Sequence, residues 1–118
     1  MSNRTDDSVF LGHIRDLSHV VMTLVAGATR ERLDDDVKLQ FALTHAIQSI
    51  GEAARRISRA FIDAHPEIPW ADIIGMRHRL VHDYFAINLD IVWKAATVSV
   101  PQLLEQLESL TPPEPPSA

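Results

Sequence analysis

Apolar residues recur at helical spacing along most of the chain, and this spacing limits the available folds more than any other feature of the sequence. The first stripe predicts a helix over residues 9–28 with Ser8 as its cap. The second predicts one long helix over residues 37–64, in which Gly51 is a weakness unless it serves a close packing contact. Any aspartate of the charged segment 30–36 is a candidate cap for this second helix. The two stripes consist of Phe10, Ile14, Leu17, Val21 and Leu24, and of Leu43, Ile47, Ile50, Ala54, Ile57 and Phe61.

Prolines divide the rest of the chain. Pro66 and Pro69 end the long helix, and the apolar residues behind them predict a shorter helix over residues 70–82. A last apolar stripe follows Asn88 and contains Pro101, so we expect a kink or a break into two helices near residue 99.

These stripes, without any useful period-two alternation, predict an all-α bundle of four helices, or five if the last is split. We expect one domain over residues 1–110 and a disordered tail over residues 111–118, where four of eight residues are proline. The 118 residues include no cysteine, which excludes disulfides, thiolate nucleophiles and cysteine-ligated metals.

Charge and hydropathy restrict the partners. The net charge of −5 argues against long, non-specific binding to duplex nucleic acid, but it leaves room for a small phosphate site built from local arginines. The longest apolar run, residues 20–28, is broken by Thr23 and Gly27 and is far shorter than the ~20 residues of a membrane span. The first residues are acidic, unlike a secretory signal. We therefore expect a cytoplasmic protein with no membrane partner.

The densest set of reactive side chains lies within residues 75–84. It comprises Arg77, His78, Arg79, His82, Asp83 and Tyr84. An arginine beside a histidine suits chemistry on a phosphodiester, because guanidinium binds phosphate oxygens through a rigid fork and imidazole transfers protons near neutral pH. The structural alternative is that the arginines pair with Asp83 and neighbouring acids on a solvated face, while the histidines only end a helix.

The motif in this segment resembles a known signature. Arg77-x4-His82-x-Tyr84, preceded by Gly-Met and followed by Phe-x-Ile-x-Leu-x-Ile-Val-Trp, is similar to the R-x4-6-H-x-Y signature of the HepT-like ribonucleases, a branch of the HEPN superfamily. The resemblance extends upstream to Ile-Gly-Glu-Ala-Ala at 50–54 and downstream to Pro-x-Leu at 101–103. It therefore covers most of the chain outside the tail.

The resemblance implies a homodimeric HEPN up-down bundle that cleaves RNA, such as tRNA or mRNA, with no metal or other cofactor. It implies that Arg77 holds the scissile phosphate and that His82 is a general acid or base, while the 2′-hydroxyl of the RNA attacks and a 2′,3′-cyclic phosphate remains. His78 and Arg79 are expected to support the site. The residue after the motif arginine is usually Asn, Asp or His in this superfamily, so His78 leaves open which imidazole takes which role.

The resemblance also implies a partner. HepT-like proteins are toxins of type VII toxin–antitoxin pairs, and their antitoxin is a minimal nucleotidyltransferase of the MntA type. This enzyme transfers AMP from ATP to the motif tyrosine, here Tyr84, which is then both a supporting site residue and the modified group. A competing hypothesis is a non-catalytic interaction protein that docks the nucleotidyltransferase and presents Tyr84 as its substrate. A third is a structural helical dimer with no reactive site.

Helix geometry adds a constraint that is independent of the family. On a regular helix, Arg77 and His82 are separated by about 140° and cannot meet on one face. Either the helix unwinds near His82, or one pocket takes residues from two chains of a homodimer.

His78 and His82 have the i, i+4 spacing of metal ligands, but no third ligand is evident, so we predict no metal site.

A second basic group, Arg55, Arg56 and Arg59, follows Glu52 on the predicted long helix. These arginines either form ordinary ion pairs on an exposed helix face, or they have a function, which is to extend an RNA track or to contact the partner.

Overall fold

A computed structural model describes residues 4–82 and 86–110, with the backbone alone described at residues 4–6 and 82. Its helices are α1 (Arg4–Val25), α2 (Arg30–Asp35), α3 (Val37–Arg55), α4 (Arg59–Ala64), α5 (Trp70–Leu80), α6 (Leu89–Lys94) and α7 (Val100–Leu110), with a π-helical turn at Ala95–Ser99. Strands β1 (Val81–His82) and β2 (Ala86–Ile87) form a short antiparallel ribbon. The predicted all-α bundle is confirmed, although two short helices, α2 and α4, raise the number of helices in the described ranges above the predicted four or five. The predicted tail, residues 111–118, lies outside the described residues.

Helix α1 starts earlier and ends earlier than the apolar stripe predicts. It begins at Arg4, so the expected cap at Ser8 is wrong, because Ser8 lies inside the helix. It ends at Val25, since Gly27 follows with a φ of 75°, a left-handed conformation that glycine adopts without strain.

The segment 30–36 begins with a helix that the periodicity did not predict and ends with a cap that it did. Thr29 caps α2, and the Asp36 carboxylate accepts a hydrogen bond from the Leu39 N–H at 3.0 Å at the start of α3. This N–H lowers the pKa of Asp36 below its ordinary value. The prediction that an aspartate caps the second stripe is confirmed.

The predicted single helix over residues 37–64 is wrong, because the chain leaves the helix after Arg55 and begins α4 behind Ser58. Ser58 has an extended backbone, and its hydroxyl accepts a hydrogen bond from the Phe61 N–H at 3.2 Å. Asp7 on α1 fixes this break, since its carboxylate accepts the Ser58 N–H at 2.8 Å and the Ser58 hydroxyl at 2.6 Å. Asp7 is 51 residues away in sequence, so local periodicity carries no sign of the bond.

The irregularity expected near residue 99 takes the form of a π-helical turn, and the helical run from α6 to α7 continues through it. Pro101 has no N–H to donate and its ring crowds the preceding turn, so a wider turn before it relieves the crowding. The Val100 N–H bonds to the Ala95 carbonyl, and the Thr97 hydroxyl donates to the Trp93 carbonyl at 2.7 Å. The wider turn therefore replaces a break into two separate helices.

The core brings α3 into contact with α1 on one side and α5 on another, and α7 also packs against α1. Fully buried members include Ile14, Leu43, Ile47, Leu80 and Val92. At Gly51 the backbones of α3 and α5 come so close that an added Cβ would lie 2.9 Å from the Ile73 carbonyl oxygen. The close packing contact predicted as one role for Gly51 is confirmed, and it places the next residue, Glu52, beside α5.

None of the helices in the described part of the chain combines the length and the hydrophobicity that crossing a membrane requires.

Candidate active site

Arg77 lies on α5, and a carboxylate on a neighbouring helix holds its side chain. Its Nη1 donates a hydrogen bond to Oε2 of Glu52 on α3 at 2.9 Å, across 25 residues of sequence. The close approach of the two helices at Gly51 makes this contact possible. The Arg77 side chain remains 55% exposed, so a phosphate can reach guanidinium donors that Glu52 does not use.

Glu52 also binds Arg55 of its own helix and Arg56, which caps the end of that helix. Nη2 of Arg55 donates to Oε1 at 2.6 Å, and Nε of Arg56 lies 3.9 Å from the same oxygen. We call Glu52, Arg55, Arg56 and Arg77 the Glu52 cluster. Three guanidinium charges against one carboxylate charge give it a net charge of +2 on a chain whose net charge is −5.

The carboxylate at the centre of the Glu52 cluster is stabilised in its charged form. The hydrogen bond from Arg55 is the largest cause that lowers the pKa of Glu52, and the charges of Arg55, Arg77 and Arg56 add to it, while partial burial opposes it. The same hydrogen bond raises the pKa of Arg55. Glu52 is therefore ionised at neutral pH and keeps Arg77 in a defined position.

Of the two alternatives for the second basic group, ion pairing is confirmed. Arg55 and Arg56 pair with Glu52, but Arg59 starts α4 and pairs with Asp63 at 3.6 Å. Because α3 ends before Arg59, the three arginines do not form one continuous helical face. An RNA track along Arg55 and Arg56 stays a prediction.

Arg79 projects from a different side of α5. Two residues correspond to about 200° of rotation on a helix, and Nη2 of Arg79 donates to the Asp72 carbonyl of its own helix at 2.8 Å. Its Nη1 lies 3.8 Å from the Asp72 carboxylate. The structure thus places Arg79 apart from the Glu52 cluster, while His78 is exposed on the same helix.

Helix α5 ends before the motif histidine. The last helical residue is Leu80, two residues short of the predicted end, and Val81 is already extended with φ −124° and ψ 120°. The backbone of His82 belongs to β1 and pairs with Ala86 of β2. The first of the two geometric alternatives, that the helix unwinds near His82, is therefore confirmed, and the separation of about 140° does not apply.

Several sequence predictions fall on groups that the structure does not describe. The side chain of His82 and the whole of Asp83 and Tyr84 lie outside the described residues. In the described part, Arg77 and Arg79 pair with Glu52 and Asp72, and the suggested partner Asp83 stays untested. No group of three or more imidazole or carboxylate side chains suited to a metal ion occurs among the described residues.

In this helical bundle, three guanidinium groups surround one carboxylate, and one of the three reaches it from another helix. The arrangement is a candidate site for a phosphate-bearing ligand. Comparison with known sequences identifies the class more closely. The family described as Ribonuclease HepT-like matches residues 11–110, and the chain belongs to this HepT-like ribonuclease family.

Individual relatives agree with this assignment. A protein provisionally named ribonuclease HepT in Thermococcus cleftensis is 34% identical over 102 residues, which cover 83% of this chain and 92% of that protein. A protein provisionally named an RNase in Methanocaldococcus jannaschii is 30% identical over 108 residues, covering 92% and 98%. A further one in Caldanaerobacter subterraneus is 31% identical over 101 residues, covering 86% and 90%. No solved structure gives a significant match.

Proposed function

We propose that this chain is an endoribonuclease that cleaves RNA, either tRNA or mRNA, without a metal ion. The observation that carries the proposal is the Glu52 cluster, in which an exposed Arg77 guanidinium is held at 2.9 Å by a carboxylate of another helix. Membership of the HepT-like ribonuclease family supports RNA as the substrate. The local charge of +2 favours a phosphate group at this point of an acidic chain.

In the proposed reaction, Arg77 binds a non-bridging oxygen of the scissile phosphate and stabilises the charge that grows on it in the transition state. The 2′-oxygen attacks phosphorus, the bond between phosphorus and the 5′-oxygen breaks, and a 2′,3′-cyclic phosphate forms. One proton leaves the 2′-hydroxyl and one reaches the 5′-oxygen. His82 is the general acid or base for one of these transfers, and His78 and Arg79 are supporting residues.

The proposal extends to regulation and assembly. The chain acts as the toxin of a type VII toxin–antitoxin pair, as a cytoplasmic homodimer whose two motifs line a shared cleft. A nucleotidyltransferase antitoxin of the MntA type neutralises it by transferring AMP from ATP to Tyr84. The tyrosine oxygen attacks the α-phosphorus and loses its proton, the bond to the β-phosphate breaks, and pyrophosphate leaves. A bulky, charged AMP group two residues from His82 would exclude RNA from the site by steric and electrostatic repulsion.

The decisive experiment is cleavage of total cellular RNA by the purified protein in EDTA, with His82→Ala alongside and chemical analysis of the product ends. We expect cleavage by the wild type alone and 2′,3′-cyclic phosphate ends. No cleavage by a folded wild type that mass spectrometry shows to be free of AMP would overturn the enzymatic proposal. It would favour the hypothesis of a docking protein that presents Tyr84.

Modification of Tyr84 has its own test. Intact-mass analysis after incubation with the nucleotidyltransferase and ATP should show added AMP in the wild type and none in Tyr84→Phe. Unchanged addition in Tyr84→Phe would place the acceptor elsewhere.

A further inference from the structure

A groove between α1 and α3 lies beside the Glu52 cluster and has no part in the reaction steps above. Its volume is about 470 Å³, within the roughly 300–1,000 Å³ of small-molecule sites. Its lining includes Phe10, His13, Asp16, Ser49, Ala53 and Arg56. Glu52 lines it as well, so one carboxylate both borders the groove and binds Arg77. A ligand can therefore occupy the groove while its phosphate contacts the Glu52 cluster.

The groove contains flat surfaces on which a nucleobase can stack. The guanidinium carbon of Arg56 lies 5.8 Å from the centroid of the Phe10 ring. The His13 ring meets the same Phe10 ring edge-on, with centroids 5.9 Å apart and planes at 89°. His13 and Arg56 are both exposed, so each leaves a planar group open to solvent. Proteins that recognise single-stranded RNA hold unstacked bases on such aromatic and guanidinium planes.

The hydrogen-bonding groups of the groove favour one kind of base. Asp16 is exposed in the lining and its carboxylate has two acceptor oxygens. Guanine presents a ring N–H and an amino group side by side, which match two carboxylate oxygens, whereas uracil has no amino group. The other carboxylate of the lining, Glu52, is already bound by arginines.

We propose that this groove is a base-binding subsite for the nucleotide next to the phosphate at Arg77, with stacking on His13 and Arg56 and a preference for guanine set by Asp16. The subsite rests on the proposed ribonuclease function. It assigns sequence preference to α1, a helix outside the motif segment, while Arg77 binds the phosphate that every nucleotide carries.

The test maps cleavage sites on an RNA that contains all dinucleotide steps, using the wild type, His13→Ala and Asp16→Asn. His19→Ala and Asp63→Asn are matched controls, since both residues are exposed and lie outside the groove lining. We expect cleavage by the wild type to be enriched beside guanine. His13→Ala should lower kcat/KM about tenfold through lost stacking, Asp16→Asn should remove the guanine preference, and the controls should match the wild type.

Binding to the inactive His82→Ala protein provides a second readout. Fluorescence anisotropy should show that this protein binds a guanine-containing RNA octamer more tightly than an all-uracil octamer. When Asp16→Asn is combined with His82→Ala, the two octamers should bind with equal affinity. If the wild type cleaves RNA but the groove variants behave like the controls, the subsite is wrong and the ribonuclease stands. If the wild type cleaves nothing, both proposals fail. A changed sedimentation coefficient in His13→Ala would place a second copy in the groove and overturn the subsite.

Discussion

Arg77 and Arg79 are separated by one residue on α5, yet different parts of the molecule hold their side chains. Arg77 bonds to Glu52, 25 residues away on α3, whereas Arg79 donates to the carbonyl of Asp72, seven residues earlier on its own helix. The position of Arg77 therefore depends on the packing of α3 against α5 at Gly51, while that of Arg79 depends on α5 alone. Two arginines of one short segment thus differ in whether tertiary or local structure orients them.

The largest expected effect separates the two arginines directly. Arg77→Ala should lower kcat/KM for RNA cleavage by about 100-fold or more, because a group that stabilises the transition-state charge is lost. Arg79→Ala should lower it by less than about tenfold, since its contacts lie on another side of the helix. Steady-state cleavage kinetics check this prediction, and circular dichroism confirms that the variants are folded. Arg59→Ala is the control, because the Arg59 side chain is 85% exposed. Equal losses in the three variants would contradict the assigned hierarchy.

The packing beneath Arg77 can be altered without touching the arginine. In Gly51→Ala the new Cβ would lie 2.9 Å from the Ile73 carbonyl oxygen, so α3 and α5 must move apart. We expect a loss of about 1–3 kcal/mol in the free energy of unfolding by urea denaturation, together with reduced cleavage.

Gly75→Ala is the matched control on α5, because its added Cβ meets nothing within 4 Å. It should be neutral or stabilising by up to about 1 kcal/mol, as expected of alanine in a helix. Equal destabilisation by both substitutions would show that helix propensity, and not the close approach, determines the effect.

Removing the charge of each acidic partner sharpens the comparison. Glu52→Gln should reduce kcat by about tenfold through looser positioning of Arg77, while KM falls because the cluster loses its only negative charge. Asp72→Asn should change neither constant. Separate determination of kcat and KM checks this, and a rise in KM for Glu52→Gln would indicate that the carboxylate contacts RNA directly.

The smallest expected effect is in the pH dependence. Because the pKa of Glu52 is lowered from its ordinary value of 4.5, the stability from its ion pairs is fully present above that value and is lost as the pH falls through the lowered pKa. Carbon-13 NMR of the Glu52 carboxyl should therefore show titration below 4.5. In Arg77→Ala, the pKa of Glu52 should rise only part of the way back to its ordinary value, since the hydrogen bond from Arg55 is the larger cause of the shift. Titration at or above the ordinary value would contradict the cluster geometry.

Properties encoded in neighbouring residues could be predicted from the sequence. The apolar stripes identified the helical segments, the charged segment contained the Asp36 cap, and Pro101 marked the region of the π-helical turn. Gly51 was recognised as a packing position because a glycine inside a helix needs a reason. In the site, the motif selected Arg77. The angular separation of Arg77 and His82 on a regular helix correctly allowed for a helix that ends before His82.

Contacts between distant residues could not be predicted in this way. The break before Ser58 depends on Asp7. The apolar periodicity continues across it because Ile57 lies in the core and Phe61 packs against the core. The bond from Arg77 to Glu52 depends on how two helices cross, although Glu52 already lay within the residues that carry the family resemblance. The roles of His82 and Tyr84 stay predictions, since their side chains lie outside the described residues.

The bond between Asp7 and Ser58 also bears on the order in which the molecule is made. Both residues precede α5 in the chain, so α1, α3 and the start of α4 leave the ribosome before Arg77 does. The three cluster members on α3 and at its end therefore leave the ribosome ahead of Arg77. A nascent chain carries no complete cluster until Arg77 has emerged and α5 packs against α3.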